Sequence, residues 1–199
     1  MAINYNIVIQ QGKTFSQVVR WESSPIIYKA ITAITKAAPA AITAALHGVP
    51  AGWRVAIVSV LGMLQINAKN TPPRPTDYHA ATVVDANTIT LNDVNSAGYS
   101  TYASGGYVQY NTPVDFAGFT ARMTIKDKVG GTALETMTDA NGKIVLDNTA
   151  RTITLLLSAT VTAAYTWTKG VYDLEMVSGS GVVTAILSGT VTVSKEVTT

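Results

Sequence analysis

The chain has no cysteine among its 199 residues. This absence excludes disulfide bonds, metal sites that depend on thiolates, and catalysis by a thiol nucleophile. There are also only two histidines, and neither lies in an HExxH sequence, so the usual signatures of a zinc site are missing. We therefore expect the protein to work without a metal or another cofactor.

Charged residues are scarce as well. Asp, Glu, Lys and Arg make up 13% of the chain, against about 25% in a typical soluble domain. The formal net charge is +2, and the basic residues are scattered rather than gathered into a patch that binds nucleic acid. Two interpretations fit the low charge: a β-rich fold with a Thr/Ser surface, or an exterior that largely faces other subunits.

Long apolar segments are missing too. No apolar run approaches the roughly 20 residues that a helix needs to span a bilayer. The N-terminal segment MAINYNIVIQQGK does not have the basic stretch and apolar core of a secretory signal. We therefore expect a protein that is made in the cytoplasm and has neither a membrane nor a nucleic acid as its partner.

The chain is rich in Thr, Val, Ile and Ala, which favours β-strands over helices. The clearest strand is FTARMTIKD, in which apolar and polar residues alternate. One face of that strand then carries Phe119, Ala121, Met123 and Ile125. Residues 158–167 are the one predicted helix, short and capped by Ser158, and Asn141-Gly142 predicts a tight hairpin turn.

The centre of the chain differs from its flanks. From about residue 29 to residue 110, short strand-like segments are closely spaced by turn residues, which is typical of a small β-barrel. We predict an all-β fold, in which residues 1–28 and 111–199 form a discontinuous immunoglobulin-like β-sandwich and residues 29–110 form an inserted small β-barrel. The first strands of the sandwich then pair with strands far along the chain.

The histidines are the first candidates for chemistry. No Asp or Glu lies within residues 23–76 to assist His47, which precedes Gly48. We therefore predict that His47 binds the backbone of a turn and takes no part in catalysis. His79 follows the proline-rich segment NTPPRPTD and is predicted to be exposed.

The carboxylates are the second candidates. Asp173 and Glu175 alternate along one predicted strand and should share a face. Paired carboxylates can do acid–base work, but the solvent face of a strand is the simpler explanation. Four other aspartates stand near Asn residues and are predicted to cap turns, namely Asp85, Asp93, Asp139 and Asp147. No catalytic residue is predicted.

A tyrosine-rich segment, GYSTYASGGYVQY, is the candidate interaction surface. Its members are Tyr99, Tyr102, Tyr107 and Tyr110. Tyrosines among serines and glycines can form an adaptable surface for sugar or protein. The alternative, which we favour, is that alternate tyrosines pack inside the barrel.

The central segment resembles a known module. PAAIT…HG, GW before a strand, GMLQIN and YSTYASGGYV are similar to the small barrel of many tailed-phage structural proteins, itself similar to the first catalytic cysteine half-domain of ubiquitin-activating enzymes. The resemblance implies a fold and no ubiquitin chemistry, since the chain has no cysteine. It also implies that RVAIVSVLGMLQIN is a strand followed by a glycine turn, with Trp53 and Met63 as packing residues.

The flanks resemble a second family, the immunoglobulin-like N-terminal domain of phage upper-baseplate proteins and related tail adaptors. The matching segments are YNIVIQQGKTFSQVVRW, PVDFAGFTARMTIKD and GVYDLEMVSGSGVVTAILSGTVTVSKEVT. The segment SATVTAAYTW departs from this family, in which the corresponding helix is acidic.

Together the two resemblances imply a non-enzymatic structural protein of the virion, in the tail or head–tail region. Its partners are then other phage virion proteins, such as the tail tube, nozzle, portal-adaptor ring or fibres, and several copies form a symmetric assembly. Two alternatives stay open: a carbohydrate-binding module for the host surface, with the tyrosines as its platform, and a capsid decoration protein.

Overall fold

The computed structural model describes residues 2–196, which form an all-β chain with one short α-helix. The strands are β1 Ile3–Asn4, β2 Ile7–Gln10, β3 Phe15–Val19, β4 Glu22–Ala30, β5 Ala33–Ile34, β6 Ala40–Thr43, β7 Arg54–Leu61, β8 His79–Val83, β9 Thr88–Leu91, β10 Ser104–Pro113, β11 Thr120–Lys126, β12 Ala133–Thr138, β13 Ile144–Asp147, β14 Thr152–Leu157, β15 Lys169–Val177 and β16 Val183–Ser194. The helix α1 spans Ala159–Ala163, and 3-10 helices span Leu64–Ile66 and Pro75–Asp77. Met1 and residues 197–199, which the prediction assigned to the sandwich, lie outside the described residues. Within residues 2–196, no helix combines the length and the apolar character needed to cross a membrane.

The described residues divide into two compact units, one made of residues 2–21 and 115–196 and the other of residues 22–114. The sequence placed the junctions at residues 28/29 and 110/111. In the structure the junctions lie at residues 21/22 and 114/115, so the barrel unit is longer at both ends than predicted. The reason is that β4 pairs with β10 from Glu22 to Ala30. These paired strands belong to one sheet and therefore to one unit.

The first unit is a β-sandwich. Its larger sheet has the order β1-β16-β15-β11-β12, with β2 also paired to β16, and its smaller sheet has the order β13-β14-β3. Strands β1 and β2 pair in parallel with β16, and β3 pairs with β14, so the first strands do pair with strands far along the chain. The inner faces of the two sheets are buried, with Met123 and Ile125 on β11 and Ile153 and Leu155 on β14. The alternation predicted for β11 is confirmed.

The second unit is a single curled sheet with the order β4-β10-β7-β8-β9-β6-β5. Its two outermost strands, β4 and β5, are separated by only two residues. The N–H of Ile31 donates to the Gly106 carbonyl (3.0 Å), and the N–H of Thr32 donates to the Thr43 carbonyl (2.9 Å). The chain thus bends from one edge of the sheet to the other and gives the sheet its barrel-like form. Trp53 and Met63 are fully buried in its core, as predicted. The predicted fold class, an immunoglobulin-like sandwich with an inserted barrel, is confirmed.

The turn at Asn141-Gly142 is not the predicted hairpin. Strand β12 belongs to the larger sheet of the sandwich and β13 to the smaller one, so this turn crosses between layers. Gly142 has a positive φ of 72°, but the Asn141 side chain accepts hydrogen bonds from the backbone N–H groups of Thr138 (2.9 Å) and Lys143 (3.1 Å). The local sequence marks the turn, but it does not decide which strands the turn connects.

The predicted helix is shorter than expected. Ser158 caps it by accepting a hydrogen bond from the N–H of Val161 (3.3 Å), but α1 ends at Ala163. Tyr165 follows the helix, and its hydroxyl donates a hydrogen bond to the Glu135 carboxylate (2.8 Å). The same carboxylate accepts a hydrogen bond from the Lys143 amine (2.7 Å). Burial, and then the hydrogen bond to Glu135, raises the pKa of Tyr165. The cluster fixes the segment after the helix against β12.

The contacts of Asp115, the first residue of the second sandwich segment, should make the free energy of unfolding depend on pH. Its carboxylate accepts the N–H of Ala117 (2.9 Å) and pairs with Arg151 (2.9 Å), which lowers the pKa to about 2 from 3.8. Because the folded-state pKa lies below the unfolded one, this stabilisation is present above about pH 4 and is lost as the pH falls towards 2.

We therefore expect the free energy of unfolding to fall less steeply between pH 4 and pH 2 in Asp115→Asn than in the unmodified protein. Urea titrations at several pH values, followed by tryptophan fluorescence, measure this difference. Identical pH profiles for the two proteins would show that Asp115 contributes no such stabilisation.

Candidate interaction surface

His47 is a structural residue of the barrel. Its side chain is buried, and Nδ1 accepts a hydrogen bond from the N–H of Val49 (3.0 Å). Nε2 therefore carries the proton and donates to the Asp85 carbonyl (2.8 Å). The Tyr110 hydroxyl donates to the carbonyl of His47 itself. Because both ring nitrogens are engaged with backbone, the prediction that His47 binds a turn is confirmed.

The aspartates predicted to cap turns divide into two groups. Asp85 and Asp147 do cap turns, since each accepts an N–H two residues further along, from Asn87 (2.7 Å) and Thr149 (2.8 Å). Asp139 instead accepts the N–H of Ala121 (3.0 Å), and Asp93 pairs with His79. These two partners are distant in sequence, so a local turn signal could not identify them.

Asp173 and Glu175 share the outer face of the larger sandwich sheet, as predicted. Glu175 accepts a hydrogen bond from Nε of Arg122 on β11 (2.7 Å), and Asp173 stands opposite Thr124. Both carboxylates line a shallow groove of about 610 Å³. The Glu175 carboxylate pairs with the exposed Arg122 side chain, so both belong to a charged, solvent-facing part of the sheet. Within the described part of the chain, no group of three or more His, Asp or Glu residues could hold a metal ion.

The four tyrosines of the candidate surface do not form one exposed patch. Tyr110 is 1% exposed and belongs to the barrel core, against which Tyr99 and Tyr102 pack while half-buried. The Tyr102 hydroxyl lies 2.9 Å from the Ile31 carbonyl and 3.0 Å from the Gly105 carbonyl. Tyr107, at 44%, is the member that is substantially exposed.

Tyr107 meets a tyrosine from a distant part of the chain. Tyr28 on β4 is 53% exposed, and its ring lies edge-to-face with that of Tyr107, with centroids 6.1 Å apart. Ile26, two residues before Tyr28, is also exposed on β4. We call Ile26, Tyr28 and Tyr107 the tyrosine patch. Sequence reasoning missed Ile26 and Tyr28, because the consecutive apolar residues in ESSPIIYKA contain no alternation that identifies the exposed face.

The tyrosine patch borders an open strand edge. β4 pairs with β10 alone, and the Ile31 N–H bond to Gly106 fixes which residues face that partner. In an antiparallel ladder the backbone groups of alternate residues point to opposite sides. Residues 27 and 29 therefore face β10, while the N–H and C=O groups of residues 26, 28 and 30 point outward. An edge of this kind is a template for another strand.

The edge of β12 in the sandwich is different. There the Asn141 side chain accepts the N–H of Thr138 (2.9 Å) and donates to the carbonyl of Thr136 (3.0 Å). The Glu135 side chain also accepts the N–H of Thr136 (2.9 Å). Side chains near the end of β12 thus bind three of its backbone groups, whereas no side-chain bond of this kind reaches the outward groups of residues 26, 28 and 30 among the described residues.

No protein-family model matches the chain, and a comparison with curated proteins finds no match.

Proposed function

We propose that the protein is a non-enzymatic structural protein of a tailed-phage virion. In this proposal it is an adaptor in the tail or head–tail region, which docks on the tail and anchors fibres or neighbouring ring subunits. The observation that carries the proposal is the open edge of β4 beside the tyrosine patch. The sequence resemblances of the flanks and of the centre to phage modules support it, and so does the scarcity of charge.

The geometry suits docking by strand addition. A neighbouring protein that supplies an extended segment can satisfy the outward groups of residues 26, 28 and 30 with main-chain hydrogen bonds. The side chains of Ile26 and Tyr28 then lose exposed apolar surface, which adds about 25 cal/mol for each Å² buried. A short edge gives a modest interface below the usual 800 Å² or so per partner. Repetition of the contact around a symmetric ring raises the overall affinity of the ring for its partner above that of a single contact.

The first test is the composition of the particle. Quantitative mass spectrometry of purified virions should find this chain in several copies, and separated tails should retain it while empty capsids lack it. Recovery with capsids alone would favour the decoration role instead. Absence of the chain from mature particles would overturn the proposal altogether.

The second test targets the strand edge. We expect the double variant Ile26→Lys, Tyr28→Glu to enter virions on the order of tenfold less than the unmodified chain, which corresponds to a loss of about 1.4 kcal/mol per contact. The matched control is Leu64→Lys, another exposed apolar residue of the barrel that lies outside its strands. Both variants should keep the melting temperature, because the substituted side chains are exposed. Equal incorporation of all three proteins would mean that β4 is not the docking edge.

A further inference from the structure

The barrel unit contains a small polar cavity that the proposed docking surface does not use. Its volume is about 230 Å³, and its walls include Gln65, Lys69, Thr76, His79, Asp93 and Tyr99. Pockets for drug-sized ligands measure about 300–1,000 Å³, so this one suits a smaller molecule.

His79 and Asp93 form the chemical centre of this cavity. The sequence predicted an exposed His79, but its side chain is 25% exposed and its Nδ1 lies 2.9 and 3.0 Å from the two Asp93 carboxylate oxygens. A carboxylate only accepts hydrogen bonds, so Nδ1 carries a proton. Nε2 has no hydrogen-bond partner among the described residues and is left for a ligand. The carboxylate holds the ring in orientation, as carboxylates that hydrogen-bond metal-ligating histidines do.

The loop that forms the wall of the cavity is held rigidly. The buried Asp77 carboxylate accepts the N–H of Arg74 (2.8 Å) and the side-chain amide of Asn70 (2.9 Å). The Arg74 N–H, and then the Asn70 amide, lower the pKa of Asp77 and so keep it ionised. Asn67 binds both the N–H (2.8 Å) and the carbonyl (3.0 Å) of Val60. A wall fixed in this way costs little entropy when a ligand binds.

We propose that this cavity binds a single sugar ring, either a free monosaccharide or the terminal unit of a glycan. The walls offer a hydrogen-bond acceptor in Asp93, a donor in Lys69 and the Nε2 atom of His79, and sugar hydroxyl groups both donate and accept. Tyr99 adds an aromatic side chain of the kind that packs on the C–H groups of a pyranose. The Asp93 carboxylate, which is 63% exposed, repels a phosphate or another anion. The inference does not depend on the virion role, because it concerns other residues and another ligand.

The test is a titration of the full chain, labelled with ¹⁵N, with glucose, galactose, N-acetylglucosamine and rhamnose. At least one sugar should shift the amide signals of His79, Asp93 and Tyr99, with a Kd on the order of 1 mM, as expected for a ligand of this size. Immobilised glycans that end in the same sugar separate a glycan terminus from a free monosaccharide: retention of the protein indicates the terminus.

Two substitutions in the cavity, a control substitution and a titration with inorganic phosphate test whether the sugar binds in this cavity. Asp93→Ala should raise the Kd at least tenfold and His79→Phe should do the same, while Glu196→Gln, which removes an exposed ion pair with Lys13 in the sandwich, should leave it unchanged. Asp93 is exposed, so its variant is expected to fold even if His79→Phe does not. Three results would overturn the proposal: no shift with any of the sugars, shifts with inorganic phosphate alone, or sugar affinity that survives Asp93→Ala.

Discussion

Replacement of Trp53 by alanine is expected to destabilise the barrel by about 3–5 kcal/mol, the usual cost of removing a buried tryptophan from a core. The Trp53 side chain is completely buried and belongs to the barrel core. Because whole domains are stable by only about 5–15 kcal/mol, this loss should leave the barrel close to unfolding.

Hydrogen exchange of the amides in residues 22–114 measures the effect. We expect protection factors in β7, β8 and β10 to fall by two orders of magnitude or more, as about 3 kcal/mol requires. The control is Leu64→Ala, in which the truncated side chain is exposed and the change should stay within about 0.5 kcal/mol. Similar protection in the two variants would show that Trp53 does not anchor this core.

Replacement of Gly62 by alanine should have the second large effect. Gly62 follows β7 with a φ of +84°, a conformation that L-residues rarely adopt, at a cost of about 1–3 kcal/mol. A Cβ at this position would lie 2.6 Å from the backbone nitrogen of Ala103 and closer still to the carbonyl oxygen of Thr101. Backbone atoms cannot move aside as a flexible side chain can, so overpacking adds about 1–3 kcal/mol.

Gly98 provides the matched control for this prediction. A Cβ at Gly98 would meet no atom within 4 Å, so Gly98→Ala should change the stability by about 0.5 kcal/mol or less. Guanidinium unfolding followed by tryptophan fluorescence compares the two variants, in a background of Trp21→Phe and Trp167→Phe that leaves Trp53 as the one tryptophan. If Gly62→Ala unfolds at the same midpoint as Gly98→Ala, the turn after β7 does not need glycine.

The two proposals about function can fail separately. Loss of virion incorporation on substitution of Ile26 and Tyr28 tests the strand edge, whereas sugar titrations of Asp93→Ala test the cavity. If the protein enters virions but binds no sugar, the adaptor proposal stands and the proposal of a sugar site in the cavity is wrong. If the protein binds a sugar but is absent from virions, the barrel is a sugar-binding unit and the adaptor proposal is wrong.

The sequence by itself determined the features that depend on neighbouring residues. Alternation along residues 119–126 predicted which side chains of β11 are buried, because a strand turns successive residues to opposite faces. Ser158 was identifiable as a helix cap, and His47 before Gly48 as a turn residue, because their partners lie two or three residues away. The all-β class followed from composition and periodicity in the same way.

Only the tertiary structure decided what depends on residues that are distant in the chain. It placed Tyr28 beside Tyr107 and Asp93 beside His79, and it buried Tyr110, because strand pairing sets these neighbours. It also made the Asn141-Gly142 turn a crossing between sheets where the local signal indicated a hairpin. A turn sequence fixes the direction of the chain over about four residues, but the pairing of strands is set by the burial of whole faces, which no local pattern contains.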